Sequence, residues 1–148
     1  MASAPPQPGE FRLEVVTLPV SDVDRAKEFY GSLGWRLDID FEPFPGQRGV
    51  QMTPPGSTSS IHFGVNVTSA EPGSAEGIYL VVSDIDEARA RLIERGVDVS
   101  EVTHRGDDGE VVSGRDPERR AYLSRASFRD PDGNQWVLQE VAERPPGR

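Results

Sequence analysis

The sequence predicts an α+β chain made of two βαβββ modules, and three observations lead to that class. The segment LEVVTLPVSDVDRAKEFYGSLGW, beginning at Leu13, recurs as AEGIYLVVSDIDEARARLIERGV, beginning at Ala75. Without a gap, Val20, Ser21, Asp22, Ala26 and Gly34 reappear 62 positions later as Val82, Ser83, Asp84, Ala88 and Gly96. Within each copy the apolar period changes from two residues to between three and four, the signature of a strand feeding a helix. After each helix there is room for three further strands, the last two joined by strong turn signals. A chain of 148 residues holds one ordinary domain or two such repeats packed together.

The elements follow in order. Met1–Glu10 holds three prolines and no apolar period, and is read as a disordered tail. The first module spans 11–66. Leu13–Val20 alternates and is β-branched, so it is a strand. Ser21 is the expected N-cap, with Asp24 three positions on as a weak capping box. Val23, Ala26, Phe29, Tyr30 and Leu33 then fall at helical spacing, and Gly34 ends the helix in a left-handed conformation. Trp35–Phe41, Arg48–Thr53 and Ser60–Asn66 are the remaining strands, with Pro54-Pro55-Gly56-Ser57 as the last turn. Residues 67–76 (VTSAEPGSAE) read as a linker. The second module, 77–141, repeats the plan. A strand ends at Val82, Ser83 caps with Asp86, and Ile85, Ala88, Leu92 and Ile93 form the helix stripe before Gly96. The strands Val97–Thr103, Arg120–Arg129 and Gln135–Val141 complete it, the last two joined by Asp130-Pro131-Asp132-Gly133-Asn134. A long stretch, 104–118, is expected to be a mobile lid or disordered, with His104 exposed at its start. Residues 142–148 form a C-terminal tail. One short helix cannot cover both faces of a four-stranded sheet, so each module keeps one helix-covered and one concave face.

Composition excludes several functions. Sixteen basic residues stand against 25 acidic ones, a net charge of −9, which repels phosphate backbones and argues against a nucleic-acid partner. No apolar run approaches the roughly 20 residues of a membrane span, and no signal-peptide core follows Met1, so no membrane partner and a cytoplasmic protein are expected. The absence of cysteine removes disulfides, thiolate zinc sites, iron–sulfur clusters and cysteine nucleophiles. Lys27 is the only lysine.

A strand running into LPVSDVDRAKEFY, a second copy reading LVVSDIDEARARL and a late FRDPDGNQWVLQE together resemble the vicinal oxygen chelate superfamily. That group includes glyoxalase I, extradiol dioxygenases, fosfomycin-modifying enzymes and bleomycin-binding resistance proteins. The resemblance covers about Leu13 to Val141. It implies two βαβββ modules forming a half-open barrel around a cup, in a homodimer whose modules pair within a chain or swap between chains. It also implies metal-ligand positions. These fall on Val15 and, 62 residues later, Gly77 in the first strands; on Val137 after the Asp-Gly-Asn turn; and on or beside His62, with Gln51 as the alternative alignment. Val and Gly cannot bind a cation through their side chains, and a divalent ion needs three or more protein ligands. The sequence thus resembles more the metal-free members, and no metal or cofactor is expected.

Strand alternation assigns the cup lining as Val15, Thr17, Gln51, His62, Gly77, Tyr79, Val137 and Gln139, joined by Tyr122. An apolar wall with a few convergent polar groups is the profile of a small-molecule site. His62 is the candidate general base, and Tyr79 the candidate donor to a ligand oxyanion. The expected function is binding of a small, partly apolar, natural-product or antibiotic-like molecule, by sequestration or simple acid–base chemistry. Two alternatives stay open. One is a divalent-metal enzyme of glyoxalase, lyase or dioxygenase type, drawing ligands from His62, Gln51, Glu14 and Gln139. The other is a non-catalytic interaction module. Arg115, Arg119 and Arg120 read either as a clamp for an anion or as counter-charges to the nearby acids. Asp130, Asp132 and Asn134 read as a turn rather than a calcium loop.

Overall fold

The computed structural model describes residues 4–144; residues 1–3 and 145–148 of the two expected tails lie outside the described residues. Residues 4–14 carry no helix or strand and are exposed. The first module comprises β1 (Val15–Thr17), α1 (Val23–Ser32), β2 (Arg36–Phe41), β3 (Gly49–Thr53) and β4 (Ser60–Gly64). Its sheet has the order β1-β4-β3-β2, with β1 parallel to β4 and the other pairs antiparallel. The second module comprises β5 (Ile78–Val82), α2 (Ile85–Glu94), β6 (Thr103–Arg105), β7 (Val111–Ser113), β8 (Ser124–Arg129) and β9 (Gln135–Glu140). Its sheet runs β5-β9-β8-β6-β7, with β5 parallel to β9. Both sheets are open, and the fold is the α+β duplication read from the repeat.

Both modules contribute to one core, on their helix sides. In α1, Val23, Ala26 and Tyr30 are buried at i, i+3, i+7 spacing. They meet Val50 and Met52 of β3 and Ile61 and Phe63 of β4, and from the second module Ile85, Phe128, Trp136 and Leu138. Trp35 and Trp136 meet edge to face with ring centroids 5.1 Å apart, and Tyr30 lies 4.9 Å from Trp35. Such pairs add about 0.5–1.5 kcal/mol beyond the area they bury. Polar bonds lock the same seam. The Tyr30 hydroxyl donates to Asp130 (2.8 Å) and accepts from Trp136 Nε1 (3.0 Å), and Asn134 Nδ2 donates to the Pro19 carbonyl (2.9 Å). Burial first, then the adjacent Asp130 carboxylate, pushes the Tyr30 hydroxyl well above its ordinary pKa.

The residues 67–76 are stitched to both modules. Gly73 N–H donates to the Pro19 carbonyl, and Gln135 N–H to that of Ala75. Gly73 sits at φ +83°, where a Cβ would stand 2.0 Å from the Asp132 carbonyl oxygen, so only glycine fits.

Several local expectations are corrected. The N-caps are Asp22 and Asp84, not Ser21 and Ser83. Each Asp carboxylate accepts from the backbone N–H three residues on, at 3.0 Å. Ser21 is taken instead by Asp132, which accepts from both its N–H and its hydroxyl. The strand expected over Val97–Thr103 reduces to a single bridge, Val99 to Phe128, and to Thr103, which opens β6. Arg89 of α2 donates to the Ser100 and Val99 carbonyls, which blocks a continuous ladder. The 104–118 stretch is not irregular throughout: β6 and β7 form a hairpin across its start. His104 is buried, not exposed, with its Nδ1 2.7 Å from the Gly114 carbonyl. The strand predicted from Arg120 begins only at Ser124, because Arg119 and Tyr122 adopt left-handed backbone in the preceding turn.

Candidate functional site

Because the modules meet through their helix sides, both concave faces point outward. The first face lies on the β1–β4 sheet. Thr17 stands opposite His62, and Gln51 opposite His62 from the other side. Val15, two residues before Thr17, shares that face and pairs with Ser60. The Thr17 hydroxyl is 3.4 Å from His62 Nδ1. Gly49 leaves room for the imidazole: a Cβ there would be 3.3 Å from Nε2. Ile39 and Phe41 of β2 extend the wall, 47% and 62% exposed despite being apolar. Together with Pro43, Val65 and Val67 they line a cavity of about 290 Å³ that also reaches Gln51 and His62. Asp38, on the outer strand, is held by Arg36 and Thr53, and the Arg36 bond pulls its carboxyl below the ordinary range.

The second face lies on the β5–β9 sheet. Tyr79 stands opposite Val137, and Ser127 opposite Val137 from the other side. Arg125 donates to the Tyr79 hydroxyl at 3.2 Å, with its guanidinium carbon 5.4 Å from the ring centroid. A shallow cavity of about 210 Å³ is lined by Tyr79, Thr103, Arg125, Ser127, Gln135 and Val137. Tyr79 and Val81 are 43% and 46% exposed. The Gln139 side-chain amide is committed, donating to the Tyr122 carbonyl at 3.0 Å. Tyr122 itself sits in the turn before β8 and lines neither cavity. Gly77 precedes β5 at φ +76°; it is exposed, and a Cβ there would meet no heavy atom within 4 Å.

The residues expected around one cup therefore fall into two groups. Val15, Thr17, Gln51 and His62 share the first face; Tyr79, Val137 and Gln139 share the second, with Gly77 at its rim and Tyr122 outside it. His62 and Tyr79, the two candidate catalytic groups, share no cavity in the chain. The register also settles which position matches which. Thr17 and Tyr79 are 62 residues apart, and their partners are His62 and Val137, so those two are equivalent and Gln51 lies one strand away.

The donor set does not fit a divalent ion. Three of the four equivalent positions are Val15, Gly77 and Val137, and the fourth, His62, has no carboxylate partner among the described residues. Among the described residues no three His, Asp or Glu side chains converge. Asp130 is no cage either: its two oxygens accept from the N–H groups of Asp132, Gly133 and Asn134, the Asn134 amide and the Tyr30 hydroxyl. Arg115, Arg119 and Arg120 are counter-charges. Arg119 pairs with the buried Glu140 at 3.3 Å, Arg120 with the buried Asp116 at 2.8 Å, and Arg115 with Asp84 at 3.4 Å. Sequence reasoning missed Arg105, Arg125 and Arg129, all on the second face; extending the alternation from Val137 across to β8 reveals two of them.

A model of the Glyoxalase/Bleomycin resistance protein/Dioxygenase superfamily matches residues 12–138. The chain is similar to the crystal structure of TnmS3, an antibiotic binding protein from Streptomyces sp. CB03234, with 32% identity over 89% of this chain and 97% of that one, and a TM-score of 0.68. A glyoxalase/bleomycin resistance protein from the same strain shares 32% identity over 86% and 99% of the two chains, TM-score 0.65. A superfamily member from Sphaerobacter thermophilus DSM 20745 shares 31% over 89% and 98%, TM-score 0.69. None of the curated proteins compared matches the chain. No helix among the described residues is long and apolar enough to cross a membrane.

Proposed function

The chain belongs to the Glyoxalase/Bleomycin resistance protein/Dioxygenase superfamily, and from that premise we propose that it is a metal-independent binding protein for a small, partly apolar, antibiotic-like molecule. The cup forms between two copies: the first face of one protomer stands opposite the second face of its partner, giving two cups per homodimer. One observation carries this reading. The two concave faces point away from each other, and each is a half-site of about 300 Å³ or less, at the lower limit for small-molecule pockets. The exposed Ile39, Phe41, Tyr79 and Val81 on those faces are unaccounted for in a monomer. The similarity to an antibiotic binding protein at 32% identity supports the ligand class.

Holding the ligand is sufficient for sequestration. The apolar first wall takes rings, and the second supplies hydrogen-bonding groups. His62, set against Thr17, is the candidate general base on the first wall.

Sedimentation velocity tests the assembly: the expected mass is twice the 16.2 kDa of one chain. A thermal-shift screen of aromatic natural products and oxo-acids, with and without divalent ions, tests the ligand, since a binder raises the melting temperature by mass action. Phe41→Glu should lower affinity for any hit about tenfold or more. A monomer at micromolar concentration, or a stoichiometric divalent ion bound through His62, overturns the proposal.

A further inference from the structure

The second concave face is cationic in an acidic chain. Its five strands contain three arginines, Arg105, Arg125 and Arg129, and one carboxylate, Glu140. Glu140 lies on the opposite, helix side, where it is fully buried and accepts from the Ile85 N–H of α2. The three arginines share the concave side: Arg125 is in register with Thr103 and Gln139, and Arg129 and Arg105 lie two positions along from Ser127 and Thr103. Acidic residues outnumber basic ones 25 to 16 in the chain, so any arginine has a carboxylate available by composition. Yet none of these three forms an ion pair among the described residues. Arg105 donates to the Gly109 carbonyl (2.9 Å) and Arg129 to the Gly133 carbonyl (2.7 Å). Arg125 has only the neutral Tyr79 hydroxyl. It is exposed, stands at the centre of the face and lines its cavity.

We propose that Arg125, steadied on the Tyr79 ring, is the anion-recognising group of the cup, and that the ligand is an aromatic molecule bearing a carboxylate, phenolate or sulfonate. This rests on the reading of the two faces as halves of a small-molecule cup. A guanidinium donates two parallel N–H bonds to a planar anion. Arg105 and Arg129, without an ion pair among the described residues, add positive charge to the same face, and the Tyr79 hydroxyl adds a donor beside the anion. The ring system then lies on the facing wall of Ile39 and Phe41 from the second copy. On the first face, Asp38 is already bound by Arg36 and Thr53.

Two fluorescent probes with one skeleton test this: 8-anilinonaphthalene-1-sulfonate, an anion, and N-phenyl-1-naphthylamine, which is uncharged. The full-length protein should bind the anion at least tenfold more tightly, with an advantage that shrinks as salt rises. Arg125→Gln should abolish the difference while leaving the neutral probe's affinity within about twofold. Arg125→Lys should keep part of it. Arg91→Gln, on the outer face of α2, removes the same charge elsewhere and should change neither affinity. Equal binding of both probes to the unaltered protein, or an anion preference that survives Arg125→Gln, overturns the inference and leaves the cup reading standing. Dissociation of the dimer by Arg125→Gln overturns it too, by making Arg125 an interface residue. Binding of neither probe refutes the cup reading and this inference together.

Discussion

Tyr30→Phe removes one oxygen from the seam that decides which way the two faces point. Tyr30 is fully buried, and its hydroxyl is the single atom that bonds both Asp130 and Trp136 of the other module. The ring itself, packed against Trp35, Phe63 and Trp136, stays in place in the variant. Losing a hydrogen bond to a buried carboxylate costs about 1.5–3 kcal/mol, and leaving the Trp136 N–H without a partner costs about 1–3 kcal/mol more. Partial relaxation and the more apolar Phe offset some of this, so a loss of roughly 2–4 kcal/mol is expected. Urea unfolding followed by tryptophan fluorescence reads it directly, because both tryptophans border the site. The midpoint should fall with the slope unchanged. A double-mutant cycle with Asp130→Asn should show coupling well above about 0.5 kcal/mol. A loss below about 0.5 kcal/mol in the single variant refutes the reasoning, since the modules would then be held together by something other than this network.

Three further outcomes follow from the same structure. Gly73→Ala should destabilise by roughly 2 kcal/mol or more, because the new Cβ would collide with the Asp132 carbonyl, whereas Gly77→Ala, equally left-handed but in open space, should cost only about 1 kcal/mol by thermal melting. Glu140→Ala takes the carboxylate partner from the half-exposed Arg119 and uncaps the Ile85 N–H, so it should cost about 1–3 kcal/mol in the same assay. Asp40 and Asp116 are held below the ordinary carboxylate value of 3.8, the first mainly by its bonds to Arg48 and the second by those to Arg120. Their stabilisation is complete above that value and is lost as pH falls below it, so the urea midpoint should be flat from pH 5 to 7 and drop below about pH 4. Asp116→Asn should flatten that drop; an unchanged acid limb counts against the assignment.

The repeat made the architecture legible because it is carried by residues whose physics is local. Gly34 and Gly96 both take φ +85° just past their helices, as helix-ending glycines should. Alternation that turns His62, Val137 and Gln139 outward turns Ile61, Phe63, Trp136 and Leu138 inward, and these four are buried, since burial of one strand face is written at period two. Where the reading slipped, a distant group had intervened. Ser21 is as good an N-cap by type as Asp22, but Asp132, 111 positions away, claims its hydroxyl. The missing strand at Val97–Thr103 has β-branched residues in the right places, but Arg89 occupies its carbonyls. The division of the site into two faces was not legible at all. It depends on whether Tyr30 meets Asp130 or the concave sides meet each other, and the alternation within each sheet is the same in both arrangements.

Duplication followed by divergence explains why one fold presents two unlike walls. At the equivalent pair of positions the first sheet carries Thr17 beside His62, and the second carries Tyr79 beside Val137. The neighbouring strand adds Gln51 on one and Ser127 on the other. The backbone lattice is the same, so only the side chains decide what each wall attracts. One wall ends in exposed Ile39 and Phe41, the other in Arg105, Arg125 and Arg129. If two identical walls faced each other across a dimer, a cup would be wholly apolar or wholly cationic. In the proposed dimer, pairing unlike walls would give each cup both an apolar floor and a cationic roof. A heterodimer test follows from that geometry. In a dimer of one Phe41→Glu chain and one Arg125→Gln chain, both lesions fall in one cup and the other cup is intact. Random re-pairing makes about half of the dimers mixed, so mixing should return about a quarter of the unaltered protein's capacity for the anionic probe. No recovery on mixing would refute the pairing of unlike walls across the dimer.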